Sequence, residues 1–375
     1  MQSNSGIVHA ADGLGDWPAK KEETWRIRND VMNTRAFLES KRLLAKYHWG
    51  RLWFRLKVIF SIKTLLTNPK EYSRNLVWHF TKRLRDSPCN QFGLLRQYAP
   101  KRPSRETFPR NCIARAKLPG IALVTPSYNQ GQYLETSIRS VLSQNYPYLE
   151  YAVVDGGSTD ESAQIIERYR DQFTYVVSEK DEGQADAIIK GFARSSGEIM
   201  AYLNSDDLLE PGALRFVGEI FLRYPRVDAI YGHRLIINEN GMEVGRWVSP
   251  RYNPKLLRLV DYIPQETLFW RRSIYEEVGG LARHSQFAMD WDLLLRFASA
   301  GARIKRVPYF LGCFRVHPDQ KSARFIDTTG AGEIDSLHMR ELGFHPREQA
   351  LEACRERLKR ESLLYALLLQ RGVRL

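Results

Sequence analysis

Short apolar runs and segments of helical periodicity alternate along residues 121–223. The apolar runs predict buried strands at 121–125, 151–154, 174–178 and 198–203. Between and after them, apolar residues at three- and four-residue spacing predict four helices, built on Leu134, Ile138, Val141 and Leu142, on Ile165, Ile166 and Tyr169, on Ala185, Ile188, Ile189 and Phe192, and on Leu214, Val217 and Phe221. Strands that alternate with helices in this way predict an α/β fold with a largely parallel sheet and crossover helices.

Polar loops follow three of these strands. They read TPSYN at 125–129, DGGSTD at 155–160 and NSDD at 204–207, and the functional loops of a parallel sheet lie at the carboxyl ends of its strands. The adjacent carboxylates Asp206 and Asp207 repel each other unless a cation or donors lie between them. Because Mg²⁺ and Mn²⁺ prefer carboxylate and phosphate oxygens, NSDD is a candidate metal site. A helix N-cap before the following helix is the alternative explanation.

The DGGSTD loop also has two explanations. Its glycines let a ligand approach the backbone closely, and Asp155 can accept a hydrogen bond from a base or a ribose. Alternatively, the loop is a tight turn into a helix that Ser158 and Glu161 cap.

Two later motifs carry further candidate chemistry. In MDWD at 289–292, Asp290 and Asp292 cannot point the same way at a helix start, so one of them at most is a general base. The alternative is negative charge that favours the helix dipole. Downstream of an apolar strand-like run, residues 314–322 offer Arg315, His317 and Lys321 as phosphate or metal ligands. The alternative is that these three are ordinary surface residues.

The two ends of the chain differ from its middle in composition and in the periodicity of apolar residues. Residues 1–24 are polar and aperiodic, and 25–117 combine a basic, helical region with a proline-rich linker. Residues 118–325 hold the α/β pattern. Residues 326–375 predict a C-terminal helical extension whose last helix ends at Gly372.

Basic charge is concentrated in the N-terminal third. Residues 1–117 carry 24 Lys and Arg against 9 Asp and Glu, whereas the rest of the chain carries 32 against 34. This excess indicates a polyanionic partner for that part alone, either an anionic membrane surface or, because aromatic residues interleave with the basic ones, a nucleic acid. No run of about 18 uncharged apolar residues and no signal peptide is predicted. The four scattered cysteines fit a reducing cytoplasm.

The order of six motifs resembles glycosyltransferase family 2, which has the GT-A fold, a Rossmann-like, mostly parallel sheet flanked by helices. The similarity covers roughly 121–325 and resembles the subgroup of bacterial surface-polysaccharide enzymes. The motifs are TPSYN at 125–129, VVDGGSTD at 153–160, EKDEGQADAIIKGF at 179–192, YLNSDD at 202–207, MDWDLLLR at 289–296 and RVHPDQKS at 315–322.

The resemblance implies a role for each matching position. Asp290 matches the general base, and Asp207, with His317, matches the ligands of the metal and diphosphate. The positions matching nucleotide-binding residues are Thr125, Pro126, Tyr128, Asp155, Asp181 and Asp206. The residues assigned to the acceptor or the phosphates are Gln265, Glu266, Arg315 and Lys321.

This sequence departs from the family pattern at two places. Met289 replaces the usual Glu before the base, and Asp181-Glu182 stands where many members have Asn-Arg. The second departure removes a positive charge from the phosphate side. Lys180, Lys190 or the 315–322 loop is then expected to balance the phosphates.

The resemblance implies an inverting glycosyltransferase of the hexosyl type. It would use Mn²⁺ or Mg²⁺ to move a sugar from a nucleotide-diphosphate sugar, with a UDP-sugar expected, to a hydroxyl of a glycan or lipid-linked acceptor. The expected location is the cytoplasm, with peripheral attachment to the inner face of the cell membrane. A GT-A binding protein without catalysis, a nucleic-acid-binding protein and a nucleotidyltransferase are the alternatives. The intact carboxylates argue against a binding protein without catalysis. The lack of a nucleic-acid motif argues against a nucleic-acid-binding protein. The first loop reads TPSYNQGQ where a nucleotidyltransferase has a glycine-rich phosphate loop, which argues against that class.

Overall fold

The computed structural model describes residues 92–109, 118–320 and 329–375. The chain divides into two units, Met1–Arg83 and Leu84–Leu375, and all described residues belong to the second. The basic region predicted within residues 25–91, its membrane and nucleic-acid interpretations and Lys321 therefore lie outside the described residues.

A nine-stranded mixed sheet forms the centre of the described unit. Its strands run in the order β3-β2-β1-β4-β8-β6-β9-β5, and β7 pairs with β6. The strands are β1 (Ile121–Ser127), β2 (Leu149–Asp155), β3 (Tyr175–Ser178), β4 (Ile199–Tyr202), β5 (Leu208–Leu209), β6 (Ala229–Ile237), β7 (Glu243–Trp247), β8 (Phe269–Arg271) and β9 (Ile304–Arg315).

Only part of this sheet is parallel. Strands β1 to β4 pair in parallel, as do β6 and β9, whereas β8 runs antiparallel to both of its neighbours. Two further antiparallel pairs, β5 with β9 and β6 with β7, complete it. The four predicted strands and the predicted α/β class, a sheet flanked by helices, are confirmed. The parallel character is confined to the strands that the sequence predicted and to one later pair.

Helices cover both faces of the sheet. They are α1 (Gly131–Leu142), α2 (Ser162–Arg168), α3 (Gln184–Ala193), α4 (Ala213–Arg223), α5 (Pro254–Leu257), α6 (Arg272–Glu277), α7 (Met289–Ser299), α8 (Ala331–Leu342) and α9 (Glu348–Gln370). Short 3-10 turns occupy Arg170–Gln172 and Gln265–Thr267. Among the described residues, no helix is long and apolar enough to cross a lipid bilayer.

The alternation of buried residues along β1 separates two apolar cores. Val124 packs with α3 and α7 on one face, while Leu123 packs with α1, α2 and α4 on the other. The C-terminal helix α9 buries Cys354 and Leu358 in the first core and Ala366 in a third, smaller cluster against β6 and β9. The predicted final helix therefore packs against the sheet rather than standing apart from it.

Residues 92–109, part of the predicted linker, run across the sheet edge. Gln97 donates its backbone N–H to Val244 O at 2.7 Å, and Lys101 pairs with Glu243 in an antiparallel bridge. Phe108 stacks on Phe216 with ring centroids 4.9 Å apart. The segment contains turns, bends and one strand bridge but no helix, and these contacts make it part of the packed domain.

Candidate active site

The carboxyl ends of β1, β2 and β3 meet at one edge of the sheet, where the TPSYN and DGGSTD loops are tied together. Gly156 N donates to Ser127 O at 2.8 Å, and Thr159 N donates to the side-chain oxygen of Asn129 at 2.8 Å. Asp160 accepts from the backbone N–H of Gly131 at 2.8 Å. These bonds fix the two predicted nucleotide loops against each other.

Asp155 lies buried at the end of β2. It accepts hydrogen bonds from Ser158 N at 2.9 Å and Ser178 Oγ at 2.6 Å, and a third from the Ser158 hydroxyl. The predicted capping box is wrong, because Ser158 bonds to Asp155, and Asp160 instead accepts from Ser162 N at the start of α2. Asp155 is therefore a rigid, pre-oriented acceptor beneath the loop.

Asp181 faces the same loop from the turn after β3. Its Oδ1 accepts from Gly183 N at 2.9 Å, and its Oδ2 lies 2.7 Å from the position that a Cβ on Gly156 would occupy. Burial raises the pKa of Asp181, and the charges of Asp186 and Asp155 raise it further. A glycine at 156 is thus required for this approach.

The remaining predicted nucleotide residues of the first loop differ in orientation. Thr125 is fully buried and its hydroxyl lies 3.0 Å from the Tyr151 hydroxyl in the core, so only its main chain reaches the strand end. Pro126 is buried as well, whereas Tyr128 is 62% exposed beside the loop.

Asp206 and Asp207 follow β4 and point to different partners. Asp206 Oδ2 lies 3.0 Å from His317 Nε2, and Asp207 Oδ1 accepts from Arg315 N at 2.9 Å. Burial raises the pKa of Asp207 well above its usual range, and the charges of Asp206 and Glu266 raise it further. Asp207 is therefore a buried carboxyl whose charge needs a positive partner.

His317 is buried above this pair. Its ring lies 4.7 Å from the Tyr133 ring, and its Nδ1 is buried without a hydrogen-bond partner among the described residues. Asp206, Asp207 and His317 thus bring two carboxylates and an imidazole to the end of β4. No group of three or more His, Cys, Asp or Glu side chains in the described part of the chain is already arranged to hold a metal ion.

The predicted phosphate cations are mostly occupied. Arg315 donates to Asp206 O at 2.8 Å and to the carbonyls of Asn238 and Glu239, and so holds the loop around the acidic pair. Lys190 pairs with Glu179 at 3.0 Å and with Asp186 at 3.2 Å. Of the residues proposed to balance the phosphates, Lys180 is exposed beside the cleft.

Gln265 and Glu266 form the floor between β4 and β6. Gln265 Nε2 donates to Tyr202 O at 2.7 Å. Glu266 is paired with Arg234, the Nε–Oε1 distance being 2.8 Å, and Arg234 lies between the rings of Trp247 and Phe314. Glu266 is consequently engaged within the protein.

Asp290 and Asp292 occupy different surroundings in the first turn of α7. Asp292 is buried and pairs with Arg296 at 2.6 Å and with Arg340. Asp290 is half-buried at the cleft and accepts from Trp291 N at 3.0 Å. The prediction that the two carboxylates diverge is therefore confirmed by their contacts.

One buried phenol lies close to carboxylates of both sides of the cleft. Burial raises the pKa of Tyr202 well above its usual range, and the charges of Asp290, Asp261, Asp207 and Glu266 raise it further. Tyr202 therefore lies near both the strand-end pair and the start of α7.

Asp261 is a member of this site that the sequence analysis missed. Although the residue as a whole is exposed, desolvation of its carboxyl and then the nearby charge of Asp290 raise its pKa. A single Asp in an irregular segment gives no motif, so only the folded chain identifies it.

Residues 122–297 match the model of glycosyl transferase family 2. The chain carries a family 2 glycosyltransferase domain. The family resemblance seen in the sequence motifs is thereby confirmed, and the acidic cleft lies within the matched domain apart from β9 and the loop after it.

The family 2 domain is similar to curated and solved proteins of the same class. It is 32% identical over 215 residues to the O-antigen biosynthesis protein RfbC of Myxococcus xanthus, which covers 56% of this chain but only 17% of that protein. S. aureus TarS, solved in complex with UDP-GlcNAc, is 18% identical with a TM-score of 0.49 over 64% of this chain and 71% of that one. The mannosyltransferase PcManGT of Pyrobaculum calidifontis, solved with GDP-Man and Mn²⁺, is 19% identical with a TM-score of 0.47, over 79% of this chain and 81% of that one.

Proposed function

We propose that this chain is an inverting, metal-assisted glycosyltransferase that moves a sugar from a nucleotide-diphosphate sugar to a hydroxyl group. The observation that carries this proposal is the cleft of the family 2 domain, in which the Asp206–Asp207 pair meets His317 while the start of α7 brings Asp290 to the same space. We propose a UDP-sugar as the donor and a glycan or lipid-linked molecule as the acceptor.

The residues at the end of β4 fit a divalent cation. Asp207 and His317 would hold it, because a cation stabilises the charged form of the buried Asp207 carboxyl, and His317 Nδ1, which has no partner among the described residues, can offer its lone pair to a metal. Oxygen and imidazole ligands completed by diphosphate oxygens suit Mn²⁺ or Mg²⁺. When bound, such an ion neutralises the charge that develops on the departing diphosphate.

The nucleotide would lie across the loops at the ends of β1 to β4. Asp155 and Asp181 offer carboxylate oxygens for the base, and Asp206 offers one for the ribose, while the main chain at Thr125 and Pro126 forms the floor. Tyr128, exposed beside the loop, is available to stack on the base.

Asp290 would act as the general base. It accepts the proton of the acceptor hydroxyl while that oxygen attacks the anomeric carbon from the face opposite the diphosphate, so a single displacement inverts the configuration. Asp292 is not available for this role, because its carboxylate is buried in ion pairs with Arg296 and Arg340. Gln265, whose Oε1 is buried without a hydrogen-bond partner among the described residues, is proposed to accept a hydrogen bond from a hydroxyl of the acceptor.

The cellular setting follows from the acceptor and from the charge of the N-terminal region. We propose surface-polysaccharide synthesis in the cytoplasm, with residues 25–91 attaching the enzyme to an anionic membrane. Each Lys or Arg near such a surface contributes about 1 kcal/mol.

Full-length protein should sediment with anionic but not neutral vesicles and be released as salt rises. Absence of binding at low salt would remove the membrane role, and preferential binding of single-stranded nucleic acid would favour the alternative.

The activity is tested by incubating the purified chain with a panel of nucleotide sugars, with Mn²⁺, with Mg²⁺ or with EDTA. We expect hydrolysis or transfer that EDTA abolishes. Asp290→Asn should reduce transfer by about 100-fold or more while nucleotide binding persists, because an amide cannot accept the proton. Asp171→Asn, on an exposed turn away from the cleft, is the matched control. Full activity in EDTA would refute the metal role, and normal turnover of Asp290→Asn would refute the assigned base.

A further inference from the structure

The carboxylate of Glu333 in α8 holds the loop that leads into α7. It accepts from Gln286 N at 2.6 Å, from Phe287 N at 3.0 Å, from Ala288 N at 2.8 Å and from Ser285 Oγ at 2.8 Å. Although burial would raise it, these four hydrogen bonds lower the pKa of Glu333. The side chain therefore presents a full negative charge to the loop at neutral pH.

The first turn of α7 carries the acidic residues Asp290 and Asp292, but no side chain caps the start of the helix. Ala288 precedes the helix and has no side chain that can cap it. A negative charge near a helix N-terminus is favourable, and Glu333 provides one from 45 residues away in the sequence. Asp290 lies in the first turn of that helix, two residues after the last N–H that Glu333 binds.

A second contact from α8 fixes the same helix. Arg340 pairs with Asp292, which also pairs with Arg296 one turn along α7. Glu333 and Arg340 are seven residues apart, two turns of α8, so one face of that helix holds both the approach to α7 and its first turn. Asp290 lies between these two contacts in the sequence.

The loop held by Glu333 also contacts the nucleotide side of the cleft. Arg283 pairs with Asp186 in α3, and Gln286 Nε2 donates to Glu182 O at 3.3 Å. These contacts reach the turn that contains Asp181. Residues 283–288 therefore connect the donor-side turn to the helix that carries Asp290.

We propose that Glu333 is a positioning residue for Asp290. It does not touch the cleft carboxylates, and it acts by fixing residues 285–288 and thereby the direction of the first turn of α7. The inference rests on the proposed function, because it assigns Glu333 a role through the general base. Misplacement of a reacting group by about 1 Å can lower a rate by about 100-fold.

The test uses Glu333→Gln in the full chain, with Glu352→Gln on the exposed side of α9 as the matched control. Amide hydrogen exchange of residues 285–290 is measured first, because it requires no activity. We expect faster exchange in Glu333→Gln and no change in Glu352→Gln. Turnover is then measured at least 15 °C below the melting temperature of each variant, so that a change in global stability alone does not lower kcat.

We expect Glu333→Gln to lower kcat by about 10- to 100-fold, and Glu333→Asp, which keeps the charge, to lower it less. In the Asp290→Asn background the same substitution should cause no further loss, because the two residues act on one step. Unchanged exchange at 285–290, an unchanged kcat, or an equal further loss in the Asp290→Asn background would each overturn the inference. Failure of the proposed function is distinguishable, since then the wild-type chain itself transfers no sugar or Asp290→Asn is fully active.

Discussion

Replacing Arg234 with Met tests how strongly the floor of the cleft depends on one buried cation. The Arg234 side chain is 10% exposed and its partner Glu266 is not exposed at all. The substitution keeps an apolar chain of similar length between Trp247 and Phe314, but it leaves Glu266 buried without its cation and close to Asp207. Both remaining groups are acidic, so the loss of the guanidinium leaves like charges facing each other.

The expected cost follows from the burial of the pair. Removing one partner of a buried ion pair destabilises a protein by about 3–5 kcal/mol, and the lost cation–π contacts add about 0.5–2 kcal/mol. For a unit of this size, 1 kcal/mol corresponds to about 2–4 °C in melting temperature. We therefore expect Arg234→Met to melt about 7–28 °C below the wild type at pH 7.

The sign of the pH dependence gives a second measurement. Without Arg234, the folded state holds the negative charge of Glu266 in a buried place close to Asp207 and without a cation, which costs free energy whenever that charge is present. The defect should be smallest at pH values below the ordinary carboxyl range and should grow as the pH rises. Calorimetry or urea unfolding at pH 4.5, 6 and 7.5 measures this trend.

Two variants complete the experiment. Arg303→Met breaks an exposed pair with Asp228 and should cost less than about 1 kcal/mol. The double variant Arg234→Met, Glu266→Met removes both charges and should regain most of the lost stability. A loss below 1 kcal/mol for Arg234→Met, or a double variant as unstable as the single one, would refute the reasoning.

Three shorter predictions concern other parts of the domain. Asp207→Asn should raise the melting temperature of the metal-free protein at pH 7.5 but not at pH 3.5. The folded state raises the pKa of the Asp207 carboxyl, so this group stabilises the wild type only at low pH and the contribution is lost as the pH rises. Thermal scans in EDTA measure the effect, and a lower melting temperature of the variant at pH 7.5 would contradict it. Gly156→Ala should raise the KM for the donor several-fold with little change in melting temperature, because the new Cβ would lie 2.7 Å from Asp181 Oδ2; an unchanged KM would argue against the loop as the nucleotide site. Phe108→Ala should cost about 2 kcal/mol in urea unfolding, since the half-buried ring stacks on Phe216, and a cost near zero would mean that this segment is not held by the domain.

The first four strands could be predicted from the sequence because they are continuous apolar runs; β1, β4 and residues 151–155 of β2 are buried on both sides, and the edge strand β3 is half-buried. Of the later strands, only the apolar end of β9 was visible in the sequence, as the strand-like run before residue 314, because β6 and the first part of β9 bury charged residues whose partners are distant in the sequence. Arg234 in β6 pairs with Glu266, and Arg306 in β9 donates to the carbonyls of Ser249 and Leu375. A local pattern that contains such residues resembles a surface segment until the partners are known.

The candidate site shows the same limit. The strand-end carboxylates were predictable because each directly follows an apolar strand, and Asp290 because its motif matches the family. The side chain of Thr125 is directed into the core because residues alternate along β1, and it shares the side of Leu123. Asp261 and Glu333 belong to no local pattern, and only tertiary contacts connect them to the cleft.

The contacts made by β9, α8 and the 92–109 segment determine how much of this chain can be exchanged with a related protein. The family match ends at residue 297, but Arg315, His317 and Glu333 all lie beyond it. A chimera recombined at residues 122 and 297 would combine the Asp206–Asp207 pair of one protein with the loop after β9 and the α8 contacts of another. Shuffling between family members should therefore yield active hybrids more often when the crossover points lie before Phe92 and after α9, so that residues which hold each other are inherited together.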